Sequence, residues 1–254
     1  MANIYTSEMN HQAKQENTVE ALLVVKHIFD QHGITFWLDV GTLLGAVAIK
    51  KMWAWDTDVD LGIWFKDLDK VVHALSTFKN EGFNVILSPK RGLSIISPSN
   101  LFFPINVDWF RERNDCVWKV NHGRRRFQLN KLLVAMLEYC LNLANFRAYA
   151  KETMETKLKT FFASFPKEFR QFISNLSWKL LLKLQCFVPH VFPKHHFTSL
   201  KTILFYRQHF NIPSDVDNFL TYCYGDWKTP KKEWCYYKQA GAQRYDLLDL
   251  CREA

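Results

Sequence analysis

The sequence has no C-x-x-C pair and no Cys/His spacing of the kind that holds zinc, although six cysteines are scattered at 116, 140, 186, 223, 235 and 251. A zinc ribbon or a thioredoxin-type redox pair is therefore excluded, and the thiols read as buried and free in a reducing compartment. There is no run of about 18 uncharged apolar residues, the length a spanning helix needs. The polar start, MANIYTSEMNHQAKQEN, lacks the apolar centre of a signal peptide. These absences predict a cytoplasmic protein with at most a peripheral membrane contact. Acids are the minority charge, 25 against 33 Lys and Arg, for a net charge of +8. Such a field attracts anions in general. The bases are scattered apart from Arg124, Arg125 and Arg126, so no nucleic-acid partner is expected. That run reads as a contact for an anionic acceptor or for lipid headgroups.

What is present is enough for a core. Hydrophobic residues make up 48% and charged residues 23% of 254 positions, which suits one large domain or a domain with an appendage. The 21 Phe, 9 Trp and 9 Tyr mostly fill that core, with a few left to line a groove.

Residues 1–16 read as a polar tail. From Asn17, the spacing of Val19, Leu22, Leu23 and Ile28 predicts a helix to Gly33. A short strand follows over Ile34–Asp39, a helix over Gly41–Lys50 and a strand over Val59–Trp64. Asp67 opens another helix, closed by Gly82. Strands are expected at 83–87, 93–97 and 104–110. Cys116–Val120 and Arg124–Phe127 read as a hairpin turning at Asn121-His122-Gly123. From Leu129 the pattern turns helical, breaking at Pro166. Leu176–Phe192 reads as a buried or interfacial helix, burial being favoured. Pro189 and Pro193 mark a loop, His190, His195 and His196 fall on it without metal spacing, and shorter helices finish the chain. The expected class is α/β (α+β), a mixed sheet with flanking helices at 17–128 and a mostly helical region at 129–254.

The chemistry concentrates in one stretch. Asp56, Asp58 and Asp60 alternate with Thr57 and Val59 at the start of a strand. Residues two apart share a strand face, so Asp58 and Asp60 point one way while Val59 and Leu61 enter the core. Two carboxylates so placed repel, and a hard divalent cation removes the repulsion. Asp108, the single acid of the run INVDWF, completes a three-carboxylate site if its strand lies beside the first. Asp56 is a further ligand, a base or a cap of the entering loop. Gly41-Thr42, between strand and helix, presents backbone N–H groups and a hydroxyl at a helix start, which favours a phosphate. Arg111 and Arg113, with Lys90-Arg91, are basic candidates for a donor phosphate, a solvated loop charge being the favoured reading of each. Trp227, in Tyr224-Gly225-Asp226-Trp227, either stacks on a pyrimidine or braces the sheet.

The segments WLDVGTLLGA (37–46), WDTDVDLGIW (55–64), VDWF (107–110) and YGDWKTPKKEW (224–234) resemble the LicD family. It includes bacterial phosphocholine transferases and the fukutin and fukutin-related proteins of animals. The similar stretch runs from about residue 20 to 235. The resemblance implies a nucleotidyltransferase-like fold. It also implies transfer of a phosphoalcohol, such as phosphocholine or ribitol phosphate, from a CDP-linked donor to a glycan or lipid-linked glycan hydroxyl, with release of CMP. It implies Mg²⁺, with Mn²⁺ as the alternative, on Asp58, Asp60 and Asp108. Asp56 matches the first acid of the family cluster, and Gly41-Thr42 the phosphate-binding turn. The chain departs where the family has an Arg-His pair and an Ile-Pro pair, reading Ala48-Ile49 and Trp53-Ala54. Lys50 and Lys51 substitute there in charge but lack the bidentate fork of arginine. An NTP-dependent nucleotidyltransferase releasing pyrophosphate, or a non-catalytic binding protein on the same fold, are the competing expectations.

Overall fold

Residues 2–31 contain neither glycine nor proline, and they form one helix, α1 (Ala2–Gln31). The computed structural model describes residues 2–122, 136–137, 140, 164–229, 242 and 244–253. Thr18, Ala21, Leu22, Val25, Ile28 and Phe29 are buried, the spacing of one helical face. Gly33, at φ 62°, ends the helix in the left-handed conformation a side chain disfavours. The helix thus begins well before Asn17, where a tail was expected. No residue breaks it, and its middle is tied down. Gln15 Nε2 donates to Trp53 O at 2.8 Å, and Thr18 Oγ1 accepts from Phe103 N at 2.9 Å.

The centre is a seven-stranded mixed sheet. β1 (Phe36–Leu38) pairs antiparallel with β2 (Val59–Trp64), and β2 pairs parallel with β5 (Ile105–Arg113). β4 (Gly92–Ile96) lies antiparallel between β5 and β3 (Asn84–Ser88). The far end of β5 pairs with β6 (Cys116–His122), which pairs along its length with β7 (Phe187–Pro193). α2 (Val40–Ala48) joins β1 to the loop before β2, and α3 (Leu68–Asn80) joins β2 to β3. Val59, Leu61, Ile63, Ile105, Val107 and Trp109 are buried and hold β2 and β5 in the core. Gly62 is required there, because a Cβ would come within 2.4 Å of the buried Trp37 indole.

β6 differs from expectation. Asn121 and His122 continue the strand opposite Val188 and Phe187 rather than turning, so the hairpin partner of β6 is β5, across Asn114 at φ 51°. The expected strand at Arg124–Phe127, with its three arginines, lies outside the described residues, as does most of the helical stripe from Leu129.

The carboxy-terminal part carries more strand than expected. α4 (Lys167–Lys183) ends before Gln185, at φ 54°, so Leu176–Phe192 is a helix end, a turn and a strand rather than one helix. Trp178, Leu181 and Leu182 are buried on one face of α4, while Phe172 and Leu176 are exposed. Pro189 and Pro193 sit in β7 instead of a loop. Proline is tolerated there because the strand lies at the sheet margin, where Pro189 O accepts from Arg244 N. His190 and His196 are buried rather than on a surface loop. A two-stranded sheet, β8 (Leu200–Phe205) and β9 (Gln208–Pro213), packs beside β1, and α5 (Val216–Tyr224) follows. The five described cysteines are free. Among the described residues no helix is long and apolar enough to cross a membrane.

Candidate active site

The parallel pairing of β2 and β5 sets Asp60 opposite Asn106 and Gly62 opposite Asp108. Alternation then puts Asp58, Asp60, Asn106 and Asp108 on one face. They line a cavity of 1110 Å³ together with Asp56, Gly41, Arg91, His122, Trp53, Trp55 and Trp227. The cavity is slightly larger than the usual range of ligand sites, about 300–1,000 Å³. Gly92 lets β4 approach, since a Cβ on it would meet Val107 O at 2.2 Å.

The turn from β1 to α2 carries a further acid, Asp39, that no motif of the sequence marks as part of the site. Asp39 is the N-cap of α2, yet its carboxylate does not cap the helix. It accepts from Lys119 Nζ at 2.6 Å, and the same ammonium donates to Asp108 Oδ2 at 2.7 Å. Lys119 and Asp39 are both buried. Burial raises the Asp39 pKa, against the opposing pull of Lys119. The next residue, Val40, has φ 44°. A β-branched side chain there costs of order 1–3 kcal/mol, a strain that the packing and hydrogen bonds around the turn must offset. The available signal for Lys119 was a single cation inside the apolar strand run VWKV.

The expected acids come together. Asn106 Nδ2 lies 3.4 Å from Asp58 Oδ2. Burial, then repulsion from Asp108, raises the Asp58 pKa. Asp60 is raised well above the carboxylate range, first by burial and then by Asp58 and Asp108. Asp56 Oδ2 accepts from Trp53 N at 3.0 Å, and burial pushes its pKa up to about 6. Asp39, Asp60 and Asp108 thus share the field of one ammonium, Lys119, with Asp58 adding a fourth carboxylate beside Asp60 and Asp108. This surplus of oxygen donors and negative charge fits a hard divalent cation. Lys119 occupies Oδ2 of Asp108 and leaves the second oxygen of that carboxylate for a ligand role.

The other candidates divide. Gly41 lines the cavity, and a side chain there would enter open space. Thr42 does not line it. Its buried Oγ1 accepts from Asp60 N at 2.9 Å, so the hydroxyl docks α2 on β2 instead of facing a phosphate. Lys50 is exposed just past α2, outside the cavity lining, because the helix carries it beyond the turn. Arg111 is not in the cavity either. Its odd position on β5 turns it to the opposite face, into a separate depression of 490 Å³. There it donates to Pro89 O at 3.1 Å and lies over the Phe65 and Trp118 rings. Arg91 is the cavity's arginine. Its Nη2 lies 2.7 Å from His122 Nε2, and its guanidinium covers the Phe187 ring. Trp53 and Trp55 stack at 5.0 Å and 15° at the rim, in and beside the segment that departs from the family pattern.

A profile of the LicD/FKTN/FKRP nucleotidyltransferase domain matches residues 33–141. Among curated proteins none matches the chain. Among solved structures there is a distant likeness to the solution structure of the antibiotic-resistance factor ANT(2'')-Ia. It has 9% identity and a TM-score of 0.32, covering 67% of this chain and 96% of that one. The matched residues span β1 to β6 and hold every acid of the cavity's sheet wall, so over that stretch the chain is similar to the LicD/FKTN/FKRP nucleotidyltransferase domain.

Proposed function

We propose that the protein transfers a phosphoalcohol, of the phosphocholine or ribitol-phosphate kind, from a CDP-linked donor to the hydroxyl of a glycan or lipid-linked glycan, releasing CMP. The observation that carries this reading is the convergence of Asp56, Asp58, Asp60 and Asp108 on one wall of a cavity whose other walls offer an arginine and flat aromatic faces. Asp58, Asp60 and Asp108 would hold Mg²⁺ or Mn²⁺. When bound, the ion draws charge from the diphosphate and from departing CMP.

The residues of the chain supply the rest. The acceptor oxygen bonds to the phosphorus distal to the cytidine as the bond from that phosphorus to the bridging oxygen breaks. The bonding electrons leave with CMP, and the acceptor proton passes to Asp56. A carboxylate with a pKa of about 6 is mostly ionised at neutral pH yet more basic than an ordinary aspartate, which suits a proton acceptor. Trp53 N, donating to Asp56 Oδ2, fixes its direction. Arg91 and His122 face the donor's anionic oxygens, and the stacked Trp53 and Trp55 with Trp227 provide faces for a pyrimidine. Catalysis of this kind depends mainly on positioning and charge.

The test is a panel of CDP-linked alcohols assayed for CMP release with Mg²⁺. Release with one donor, lost in Asp58→Asn, supports the reading. Pyrophosphate from an NTP would replace it with ordinary nucleotidyl transfer. Metal binding with no nucleotide binding in calorimetry would point to a non-catalytic role.

A further inference from the structure

Outside the cavity, the 3-10 turn after β7 (Lys194–Phe197) meets the head of α5. There His195, His196 and Asp215 bring one ligand atom each within 4.8 Å of one another. We propose that these residues bind a single divalent cation of the zinc type, with water completing a tetrahedron, and that this ion fastens the turn to α5. The proposal is independent of the transfer reaction.

The geometry of His196 carries it. The residue is 3% exposed, and its buried Nδ1 has no hydrogen-bond partner. A buried polar nitrogen left so is costly unless something meets it. Asp215 Oδ2 faces it at 3.6 Å, too far for a hydrogen bond. Two ligands each about 2.0–2.1 Å from a tetrahedral zinc ion stand about 3.3 Å apart, close to that separation. The ring is fixed by Phe219 and Tyr222, at 5.6 and 6.0 Å. The tight turn keeps the His195 ring 4.1 Å from that of His196, although consecutive side chains usually diverge. Asp215 is oriented in turn. Asn218 Nδ2 lies 3.0 Å from its Oδ1 and 3.2 Å from its Oδ2, the outer-shell support typical of a ligating carboxylate. Imidazole with carboxylate suits zinc and its neighbours rather than Mg²⁺.

The position gives the ion a purpose. Asp215 is the N-cap residue of α5, and Tyr224, the last residue of that helix, lines the cavity with Asp226 and Trp227 just beyond it. An ion at the head of α5 holds the helix that presents those residues.

The experiment strips the full chain with chelator and titrates it with Zn²⁺ alone, then with Co²⁺ to read the visible bands of a near-tetrahedral site. One equivalent should bind, with Tm rising roughly 5 °C at metal about a hundredfold above Kd. Asp58→Asn should retain this uptake, which separates it from the acidic cavity. His195→Ala, at an exposed position that tolerates truncation, and Asp215→Asn should each weaken it by more than roughly a hundredfold, beyond what loss of an outer-shell partner does. Zn²⁺ bound equally well in both variants, held by cysteines or by the cavity, overturns the proposal. So does the absence of stoichiometric uptake by the unsubstituted chain.

Discussion

Lys119 Nζ stands 2.6 Å from Asp39 and 2.7 Å from Asp108, joining the turn before α2 to the sheet wall of the cavity from a position with no solvent exposure. Asp39 is equally buried, so its charge depends on that ammonium. Lys119→Met should destabilise the fold by about 3–5 kcal/mol, the cost of leaving a buried charge without its partner. Adding Asp39→Asn should recover most of the loss, since removing both members of a buried pair is far milder than removing one. Urea unfolding of the single and double variants reads the difference. Equal losses in the two would mean that Lys119 stabilises by packing alone.

Asp60 makes the opposite case. Its folded pKa lies above the unfolded value, so the fold favours the protonated form and ionisation lowers stability as pH rises above the ordinary carboxylate range. Without metal at neutral pH, Asp60→Asn should raise stability by about 0.5–2 kcal/mol, as expected where an active site carries strain. The same variant should lose transfer activity. Thermal unfolding in chelator beside a CMP-release assay checks both. Full activity in Asp60→Asn would remove Asp60 from the site.

How far the sequence could be read follows from which interactions are local. The alternation through Asp58, Val59, Asp60 and Leu61 reports face and burial directly, and the structure buries Val59 and Leu61 while leaving Asp58 and Asp60 on the cavity. The adjacency of Asp108 required only that two apolar strands be neighbours. For Arg111, sequence nearness to Asp108 says nothing of face, and an odd offset on a strand reverses it. The partner of Thr42, the Asp60 backbone, comes from another element, which no local pattern reveals. Lys119 and Asp39 are 80 positions apart and meet only through the β5–β6 hairpin. β7 was hidden by its two prolines, which exclude a central strand but not a marginal one.

Protons and metal should compete for the same oxygens. Asp58 and Asp60 are both raised, so Mg²⁺ binding should release protons, and its affinity should climb with pH until both acids are ionised in the free protein. Calorimetry in two buffers of different ionisation enthalpy counts those protons. Asp56, at about 6, should set an acidic limb in kcat/KM, with activity rising through pH 6 as its carboxylate forms. In Asp56→Asn that limb should vanish along with most of the rate. A limb that persists there would assign the titration to another group.

Binding and stability should separate cleanly between Trp55 and Arg111. The Trp55 indole is 66% exposed and lies on Trp53 at the cavity rim, so little of the core depends on it. Trp55→Ala should change stability by no more than about 0.5 kcal/mol. If the indole pair receives the base of the donor, KM should rise by about 5- to 100-fold, the equivalent of about 1–3 kcal/mol per stacked base. Arg111 is the reverse. The residue is 7% exposed, and its guanidinium sits 4.1 Å from the Phe65 centroid and donates to Pro89 O on the face away from the cavity. Burial lowers its pKa to about 10, still far above neutral, so it remains a cation held by those contacts at working pH. Arg111→Ala leaves the Pro89 carbonyl without its donor and the two rings without their cover, and should lower stability by about 1–3 kcal/mol. Donor KM should stay unchanged in the fraction that folds. Steady-state kinetics and denaturant curves on both variants decide the matter. A raised KM in Arg111→Ala at unchanged stability would bring that arginine back to the substrate, and an unaffected KM in Trp55→Ala would leave the rim indoles without a part in donor binding.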